Sequence, residues 1–171
     1  MLHTDYSHRQ RILCIRPPII AFTLLLLPAL TWAWPGKVIS IQDADTITVL
    51  TEGKQQVRIR LYGIDAPEGG QAYGNRATQF VKGILAGNPL VEIDVKDTDR
   101  YGRTVAIVIL PDGTNLNEEI VRAGYAWVFT RYCREVPLCV GWGLLQQDAL
   151  EARRGLWADK ETVPPWEWRR R

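Results

Sequence analysis

Hydrophobic and polar residues alternate in short stretches along much of the chain, with the two-residue period of half-buried β-strands. In one of them, Val57, Ile59 and Leu61 fall on one face, and Arg58 and Arg60 fall on the other. The stretches that alternate in this way, or that are almost wholly apolar, are residues 38–41, 46–50, 57–61, 91–95 and 104–110. The chain is therefore predicted to form five strands.

A helical spacing follows the third predicted strand, after a loop over residues 63–74. Apolar side chains recur there at intervals of three and four residues, at Ala77, Phe80, Val81, Ile84 and Leu85. Asn75 is expected to cap the start of this helix, and Gly87 is expected to end it.

Two further helices are predicted toward the C-terminus. The first of these is expected to begin at Asn115, with Glu118 completing a start that resembles a capping box, and to end at Gly124. The other is expected to run from about Gly141 to Arg154, with Gly155 as its stop. Its apolar face would carry Trp142, Leu145, Ala149 and Ala152.

The order of these elements indicates the fold class. Three strands, a helix, two strands and two helices match the plan of a five-stranded Greek-key barrel. Residues 125–129 are expected to form a short extended segment. The Trp- and Arg-rich tail, from about residue 158, is expected either to pack its tryptophans or to fray.

The N-terminal segment has the three parts of a secretory signal peptide. Arg9, Arg11 and Arg16 precede an apolar run over residues 19–30, and small residues follow at the end of the run. Cleavage is expected after Ala33, so that residues 1–33 are the signal peptide and residues 34–171 are the mature domain. We therefore expect a secreted or periplasmic protein of bacterial export; a membrane protein anchored by an uncleaved leader is the alternative.

Charge narrows the kinds of partner that the protein can bind. The formal net charge is +2, from 21 Lys and Arg residues and 19 Asp and Glu residues. Residues 34–171 alone carry equal numbers of the two kinds. This balance disfavours a protein that coats nucleic acid through a general positive charge, so that any grip on a polyanion requires a local cluster of cations.

The cysteines also separate at the predicted cleavage site. Cys14 lies in the leader, which leaves Cys133 and Cys139 in the mature domain. An even number of cysteines in an exported protein indicates a disulfide, and two free thiols are the alternative. A zinc site is disfavoured because no histidine follows His8.

Carboxylates occupy two of the predicted turns. Asp43 and Asp45 lie between the first two strands, and Asp65 and Glu68 come directly after the third strand. Since neighbouring antiparallel strands can bring these turns together, the oxygens could bind a hard cation such as Ca²⁺. An aspartate in a turn also commonly caps a backbone N–H, which is the alternative role for each of them.

Two arginines and a tyrosine are candidates for binding a phosphodiester. Arg60 lies on the outer face of the third strand, and Arg103 ends the turn that contains Tyr101. A guanidinium group can engage two phosphate oxygens at once, and a tyrosine ring can pack on a sugar or a base. Solvated surface charges and ordinary packing on the sheet are the alternatives.

Three segments resemble, in order and spacing, the motifs of the staphylococcal nuclease (thermonuclease) family. They are Asp43-Ala44-Asp45-Thr46, Arg60-Leu61-Tyr62-Gly63-Ile64-Asp65-Ala66-Pro67-Glu68 and Asp99-Arg100-Tyr101-Gly102-Arg103. The similarity extends from about Lys37 to Trp157. The resemblance implies a β-rich α+β domain, a five-stranded OB-fold Greek-key barrel with three helices. It also implies a Ca²⁺-dependent nuclease that acts on DNA and RNA as a monomer, with little sequence specificity and no obligate protein partner.

The resemblance also implies a role for individual residues. Asp45 and Asp65 correspond to metal ligands, and Ala66 would add its backbone carbonyl. Glu68 would be the general base or would position the attacking water. Asp43 would lie behind the metal ligands.

The cationic and aromatic positions are implied to contact the substrate. Arg60 and Arg103 would hold the phosphate and stabilise the five-coordinate transition state. Arg100 and Tyr101 match positions that contact the other phosphate of the nucleotide. Tyr132 is the candidate for base stacking, in a region where the family's tyrosines are only partly matched.

The chain departs from the family pattern at two positions of its motifs. Ala44 stands in place of a glycine, so that this turn must tolerate a Cβ atom. Ala66 replaces a threonine, which matters little where only the carbonyl binds.

A catalytically inactive nucleic-acid-binding module is the alternative function, and an anchored envelope protein that contacts other proteins is a third. All the charged motif positions are filled, which favours the enzyme over both.

Overall fold

The computed structural model describes residues 33–86 and 90–171 of the chain. All of the predicted signal peptide except Ala33 therefore lies outside the described residues, as does Gly87, the predicted end of the first helix. The described residues belong to one unit of the chain, Thr31–Arg171.

Five strands close into a barrel in the order β1-β2-β3-β6-β5. All neighbouring pairs are antiparallel except β3 and β6, which run parallel. The strands of the described residues are β1 (Ala33–Asp43), β2 (Thr46–Leu50), β3 (Gln56–Leu61), β4 (Ile64–Asp65), β5 (Leu90–Thr98), β6 (Thr104–Ile109) and β7 (Trp127–Val128). The predicted five-stranded barrel is confirmed, and its first strand starts earlier than the sequence pattern indicates.

A small two-stranded sheet lies outside the barrel order. It pairs β4 with β7, with Ile64 opposite Val128 and Asp65 opposite Trp127. The expected extended segment at 125–129 is thus confirmed as β7. The expected loop after the third strand is wrong at Ile64 and Asp65, which form β4.

Among the described residues, three α-helices lie at about the predicted places, and a fourth lies in the tail, where none was predicted. They are α1 (Gly74–Leu85), α2 (Leu116–Arg122), α3 (Leu138–Glu151) and the short α4 (Pro165–Trp168), with a 3-10 helix at Gly155–Ala158. No helix among the described residues is both long and apolar enough to cross a membrane.

The start of α1 differs from the prediction. Asn75 lies inside the helix, and the residue before the helix is Tyr73, with φ of 67° and no side-chain capping bond. The next residue, Gly74, has to be a glycine, because a Cβ atom at this position would lie 1.9 Å from the carbonyl oxygen of Glu68. A close approach of two backbone segments, rather than a polar cap, therefore fixes this helix end.

The other two helices follow the sequence more closely. Asn115 caps α2 as predicted, since its side chain accepts a hydrogen bond from the N–H of Glu118. The third helix begins and ends about three residues early, because it starts directly after Pro137 and the chain leaves it at Arg153, with φ of 54°. Ala152, predicted on the apolar face, is exposed.

Burial follows the predicted alternation in the barrel. Ile47, Val49, Ile59, Ile93 and Val108 are fully buried, and the helices add apolar side chains to the same core. Burial of side chains of this size contributes about 1.5–3 kcal/mol each. The outer face of β3 keeps Arg58 exposed and Arg60 partly buried, as the sequence pattern indicates.

Asn117 on α2 closes the barrel where β3 and β6 stop pairing. Its buried side chain accepts a hydrogen bond from the N–H of Val108 at 3.1 Å. It donates to the carbonyl oxygens of Tyr62 at 3.0 Å and Ala106 at 3.3 Å. One side-chain amide thus bonds three backbone groups, and it shares the carbonyl of Ala106 with the N–H of Tyr62.

Two glycines join the C-terminal segment to the end of α2. The N–H of Leu156 donates to the carbonyl of Gly124 at 2.8 Å. A Cβ atom at Gly155 would lie 2.2 Å from that carbonyl oxygen, and one at Gly124 would lie 2.4 Å from the carbonyl oxygen of Arg154. Both glycines also have positive φ, 76° and 56°. No other residue fits this contact without a shift of the backbone.

Candidate active site

Strand register brings the first two motifs together. Thr46, at the start of β2, lies opposite Arg60 on β3, so that Asp45 in the preceding turn reaches the same end of the barrel. The chain then reverses at Gly63, with φ of 71°, and returns as β4 with Asp65. A Cβ atom at Gly63 would lie 2.7 Å from the sulfur of Cys133, so that only glycine fits this reversal.

The guanidinium group of Arg60 lies between two carboxylates. One terminal nitrogen, Nη1, pairs with the carboxylate of Asp45. The other, Nη2, donates to Oδ1 of Asp65 at 2.7 Å and to the carbonyl of Ile64 at 3.3 Å. Burial lowers the pKa of Arg60, and the charge of Asp65 opposes this shift. Asp45, Arg60 and Asp65 thus form one contiguous cluster, called here the acidic cluster.

Further hydrogen bonds fix the two aspartates. Oδ2 of Asp45 accepts from the N–H of Ala66 at 2.7 Å, and its Oδ1 accepts from the hydroxyl of Thr46 at 3.1 Å. Asp65 is completely buried. A buried carboxylate is costly unless cations and donors surround it, so this end of the barrel is built to hold positive charge.

Asp43 and Ala44 shape the turn that carries Asp45. Oδ1 of Asp43 accepts from the N–H of Asp45 at 3.2 Å, which places Asp43 behind the acidic cluster. Burial raises the pKa of Asp43, while the charges of Arg60 and Arg103 act in the opposite direction. Ala44 is fully buried and has no positive φ, so the turn accepts its Cβ atom.

The third motif forms the turn between β5 and β6. Oδ2 of Asp99 accepts from Nε of Arg103 at 2.7 Å, and its Oδ1 accepts from the N–H groups of Tyr101 and Arg103 at 2.9 and 3.0 Å. Partial burial raises the pKa of Asp99, but these hydrogen bonds outweigh it and leave the pKa below its ordinary value. Asp99 therefore orients Arg103, whose charge acts on both Arg60 and Asp43.

Arg100 and Tyr101 form an exposed pair beside Arg103. The guanidinium of Arg100 lies 4.8 Å from the centre of the Tyr101 ring and donates to its hydroxyl at 2.6 Å. Tyr101 is 69% exposed, so its ring packs on no core residue and is accessible to a ligand. The structure thus places the predicted substrate-binding pair at the edge of the Arg103 turn.

Glu68 lies beyond Asp65, on the loop that leads to α1. Its Oε1 accepts from Nη1 of Arg169 at 2.6 Å, and Nη2 of Arg169 donates to Oδ2 of Asp65 at 2.7 Å. Hydrogen bonding to Asp65 raises the pKa of Arg169 above its ordinary value. The sequence reasoning missed Arg169; three consecutive arginines at the end of a Trp-rich tail were the available signal.

Tyr132, the candidate for base stacking, follows β7 in the chain. It is 57% exposed, and its ring meets Phe129 edge-on at 5.0 Å. Among residues 33–86 and 90–171, no hydrogen bond joins its side chain to the acidic cluster. The nearby Cys133 and Cys139 form the predicted disulfide, with Cα atoms 5.6 Å apart.

The donors at the acidic cluster suit a hard cation. Asp45 and Asp65 offer carboxylate oxygens and Ala66 offers a backbone carbonyl, which are the ligand types that Ca²⁺ prefers. Among the described residues, no three His, Cys, Asp or Glu side chains are already grouped as a metal cage. The donor set fits the cation chemically, while the guanidinium groups of Arg60 and Arg169 hold the aspartate oxygens.

Comparison with known proteins identifies the family of the chain. The family model described as "Staphylococcal nuclease homologue" matches residues 58–159. An "Uncharacterized endonuclease" of Escherichia coli O157:H7 is 43% identical over 147 residues, which cover 82% of this chain and 92% of that protein. A "Micrococcal nuclease" of Shigella flexneri is 37% identical over 161 residues, covering 89% and 90% of the two chains.

Another relative matches this chain over only part of a longer protein. A "Probable staphylococcal-like nuclease CAN1" of Oryza sativa subsp. japonica is 39% identical over 116 residues, which are 68% of this chain and 33% of that protein. The expected family, the barrel fold and the enzyme class, a nuclease, are confirmed. The chain belongs to the staphylococcal nuclease homologue family.

Proposed function

We propose that this chain is a Ca²⁺-dependent nuclease that hydrolyses phosphodiester bonds of both DNA and RNA. The observation that carries the proposal is the convergence of three separate motifs at one end of the barrel. Two aspartates flank Arg60, Glu68 lies next to Asp65, and the charge of Arg103 acts on the same cluster.

Asp45, Asp65 and the carbonyl of Ala66 would hold the cation. When bound, Ca²⁺ supplies positive charge that offsets the negative charge of the phosphate. The fully buried Asp65 keeps its carboxylate in a fixed orientation through Arg60. Asp43 positions the Asp45 turn from behind.

Arg60 and Arg103 would hold the scissile phosphate. A phosphodiester gains negative charge on its equatorial oxygens as it approaches the five-coordinate transition state, and preoriented donors stabilise that charge. Asp65 already holds Arg60, and Asp99 already holds Arg103. Neither arginine side chain therefore has to be ordered when substrate binds. Arg100, Tyr101 and Tyr132 would contact the rest of the nucleotide.

Glu68 would accept a proton from the attacking water or orient that water. Its side chain is 37% exposed, so water reaches the carboxylate directly. A positioned general base contributes about 10²–10⁴-fold to the rate.

The proposal is tested by cleavage of plasmid DNA and of RNA with Ca²⁺ or with chelator. Glu68→Gln should lower kcat about 10²–10⁴-fold. Glu52→Gln, in the exposed turn before β3, is the matched control and should stay within about twofold of wild type, the scatter expected for surface substitutions. Full activity of Glu68→Gln would rule out the role of Glu68. A protein that binds but never cuts would be the inactive binding module instead.

We also propose that the protein is exported and acts as a monomer. The basic residues and the apolar run before Ala33 support a signal peptide that directs the domain to the periplasm or the medium. Mass spectrometry of the exported protein should find a chain that begins at Trp34. A full-length chain in the membrane fraction would support the anchored alternative.

A further inference from the structure

The C-terminal tail is attached beside the candidate active site by aromatic stacking. Trp166 on α4 stacks on Phe129, with ring centres 4.9 Å apart and planes 5° from parallel. It also meets the ring of Trp127 edge-on at 6.3 Å. Trp127 lies opposite Asp65 across the β4–β7 pair. The tail is therefore docked on the strand that pairs with the Asp65 strand.

A second attachment couples the tail to the loop of Glu68. The buried amide of Gln71 donates to the carbonyl of Val163 and accepts from the N–H of Glu68 at 3.2 Å. Both attachments lie before the end of α4. They hold the residue directly after this helix, Arg169, against Asp65 and Glu68.

The contact made by Arg169 uses the oxygens that a cation would need. Nη2 donates to Oδ2 of Asp65 at 2.7 Å, and Nη1 donates to Oδ1 of Asp65 at 3.3 Å and to Oε1 of Glu68 at 2.6 Å. Both oxygens of Asp65 are thus engaged by guanidinium groups. A cation cannot bind the same lone pairs while this positive charge remains next to them.

The two arginines on Asp65 differ in their freedom to leave. The side chain of Arg60 is 15% exposed and starts from β3, a barrel strand that is paired on both sides. The side chain of Arg169 is 43% exposed and follows the short helix α4 rather than a barrel strand. The buried carboxylate of Asp65 needs a positive partner, and a cation that replaces the guanidinium of Arg169 supplies one.

We propose that Arg169 is a built-in competitor of the catalytic cation. In the metal-free protein its guanidinium neutralises Asp65 and Glu68, and the cation binds only when the tail releases them. This inference rests on the proposed Ca²⁺ site and adds a control to it: the tail sets the Ca²⁺ concentration at which the enzyme becomes active. A site that is competent in only a tenth of the molecules binds about tenfold more weakly than the open site.

The test is Ca²⁺ binding to the full chain, measured by isothermal titration calorimetry without substrate. Arg169→Ala should lower the Kd for Ca²⁺ about three- to tenfold. Arg170→Ala removes the neighbouring charge of the same tail and should change the Kd less than twofold. Trp166→Ala undoes the stacking, and it should lower the Kd in the same direction with no further gain in the double variant with Arg169→Ala.

The outcomes separate this inference from the proposed function. Equal Kd values for wild type and Arg169→Ala, or weaker binding by the variant, would overturn the competition while leaving the Ca²⁺ site intact. An equal gain from Arg170→Ala would reduce the effect to general tail charge and would also overturn it. If neither wild type nor Arg169→Ala binds Ca²⁺, the proposed metal site itself is wrong, and the inference falls with it.

Discussion

Asp65 places a strict requirement on the residues around it. It is a completely buried carboxylate, and it accepts hydrogen bonds from both Arg60 and Arg169. Removing one partner of a buried ion pair commonly costs about 3–5 kcal/mol, so Arg60 variants would confound stability with activity. Arg103 is the cleaner position for testing phosphate binding, because its partner Asp99 is partly exposed.

Arg103→Ala should lower kcat about 10²–10³-fold with little change in fold, by analogy with the removal of one transition-state donor. Steady-state cleavage of a short DNA duplex in saturating Ca²⁺ measures the effect. Arg58→Ala, an exposed arginine on β3 that points away from the core, is the control and should retain wild-type kcat. Equal losses in both variants would mean that general charge, not a placed donor, is responsible.

The lowered pKa of Asp99 predicts that the fold loses stability in acid. Its pKa in the folded state lies below the unfolded value of about 3.9, so the ionised carboxylate stabilises the fold above that pH. This contribution is lost as the pH falls through the folded-state pKa. Asp99→Asn should lower the free energy of unfolding by about 1 kcal/mol at neutral pH. Urea unfolding of both proteins should show this difference shrinking at acidic pH; a difference that stays constant would exclude the charge as its cause.

Individual residues were predictable from the sequence where short-range motifs carried the signal. The motif order and the strand pattern together bring Asp45, Arg60 and Asp65 to one place. Arg169 was not predictable, because its contact spans more than 100 positions of the chain and depends on how the tail packs. Asn117 was also missed, since its role exists only once β3 and β6 are paired.

Among the helices of the described residues, α1 begins directly beside the Glu68 loop. Its first residue, Gly74, lies against the backbone of Glu68, and its interior residue Gly83 faces open space. Gly74→Ala should force the Glu68 loop to shift, lowering stability by about 1–3 kcal/mol and lowering kcat as well. Gly83→Ala is the matched control and should raise stability by up to about 1 kcal/mol with unchanged kcat.

Thermal unfolding and cleavage rates of the two variants decide this prediction. Two alanines in one helix that behave alike would show that helix propensity matters here and the backbone contact does not. A stability loss confined to Gly74→Ala, with full activity, would show that Glu68 tolerates movement of its loop.

The elements that the sequence did not predict are those with no periodic pattern. With two residues, β4 is too short for alternation to be detected, and it forms because the chain reverses at Gly63. The equally short β7 lies inside the extended segment that was predicted at 125–129. The start of α1 was wrong because propensity favours a polar cap, whereas the backbone contact at Gly74 decides. By contrast, Asn115 is a local cap, and the sequence alone identified it correctly.

For the whole molecule, the order of strands and helices was sufficient to predict the barrel, but not how it closes. Closure depends on the parallel pairing of β3 with β6, which places Arg103 near Arg60 although 43 positions separate them. Long-range pairing of this kind leaves no local trace in the sequence. Residues 34–171 have no net charge, so the cations gathered by this closure must supply the attraction to nucleic acid.

This charge distribution predicts a moderate salt dependence. If Arg60, Arg100 and Arg103 each contact a phosphate, affinity for duplex DNA should fall about 40-fold between about 50 and 200 mM salt. Fluorescence anisotropy in chelator, which prevents cleavage, measures this. Arg100→Ala should reduce the fall to about tenfold, while Arg58→Ala should leave it unchanged. A slope near zero, or one that requires six or more phosphates, would contradict binding by a local cluster.

The contact between Gly124 and Gly155 extends the influence of the active site to a remote part of the molecule. Every residue from Gly155 to Arg169 follows this junction, so its geometry sets the starting point of the path that ends at Asp65. One added methyl group at either glycine would displace the whole segment that follows. If Arg169 competes with Ca²⁺ as proposed, sequence drift at a site that touches neither metal nor nucleic acid would change the calcium threshold, and relatives that differ at these glycines would not share one threshold.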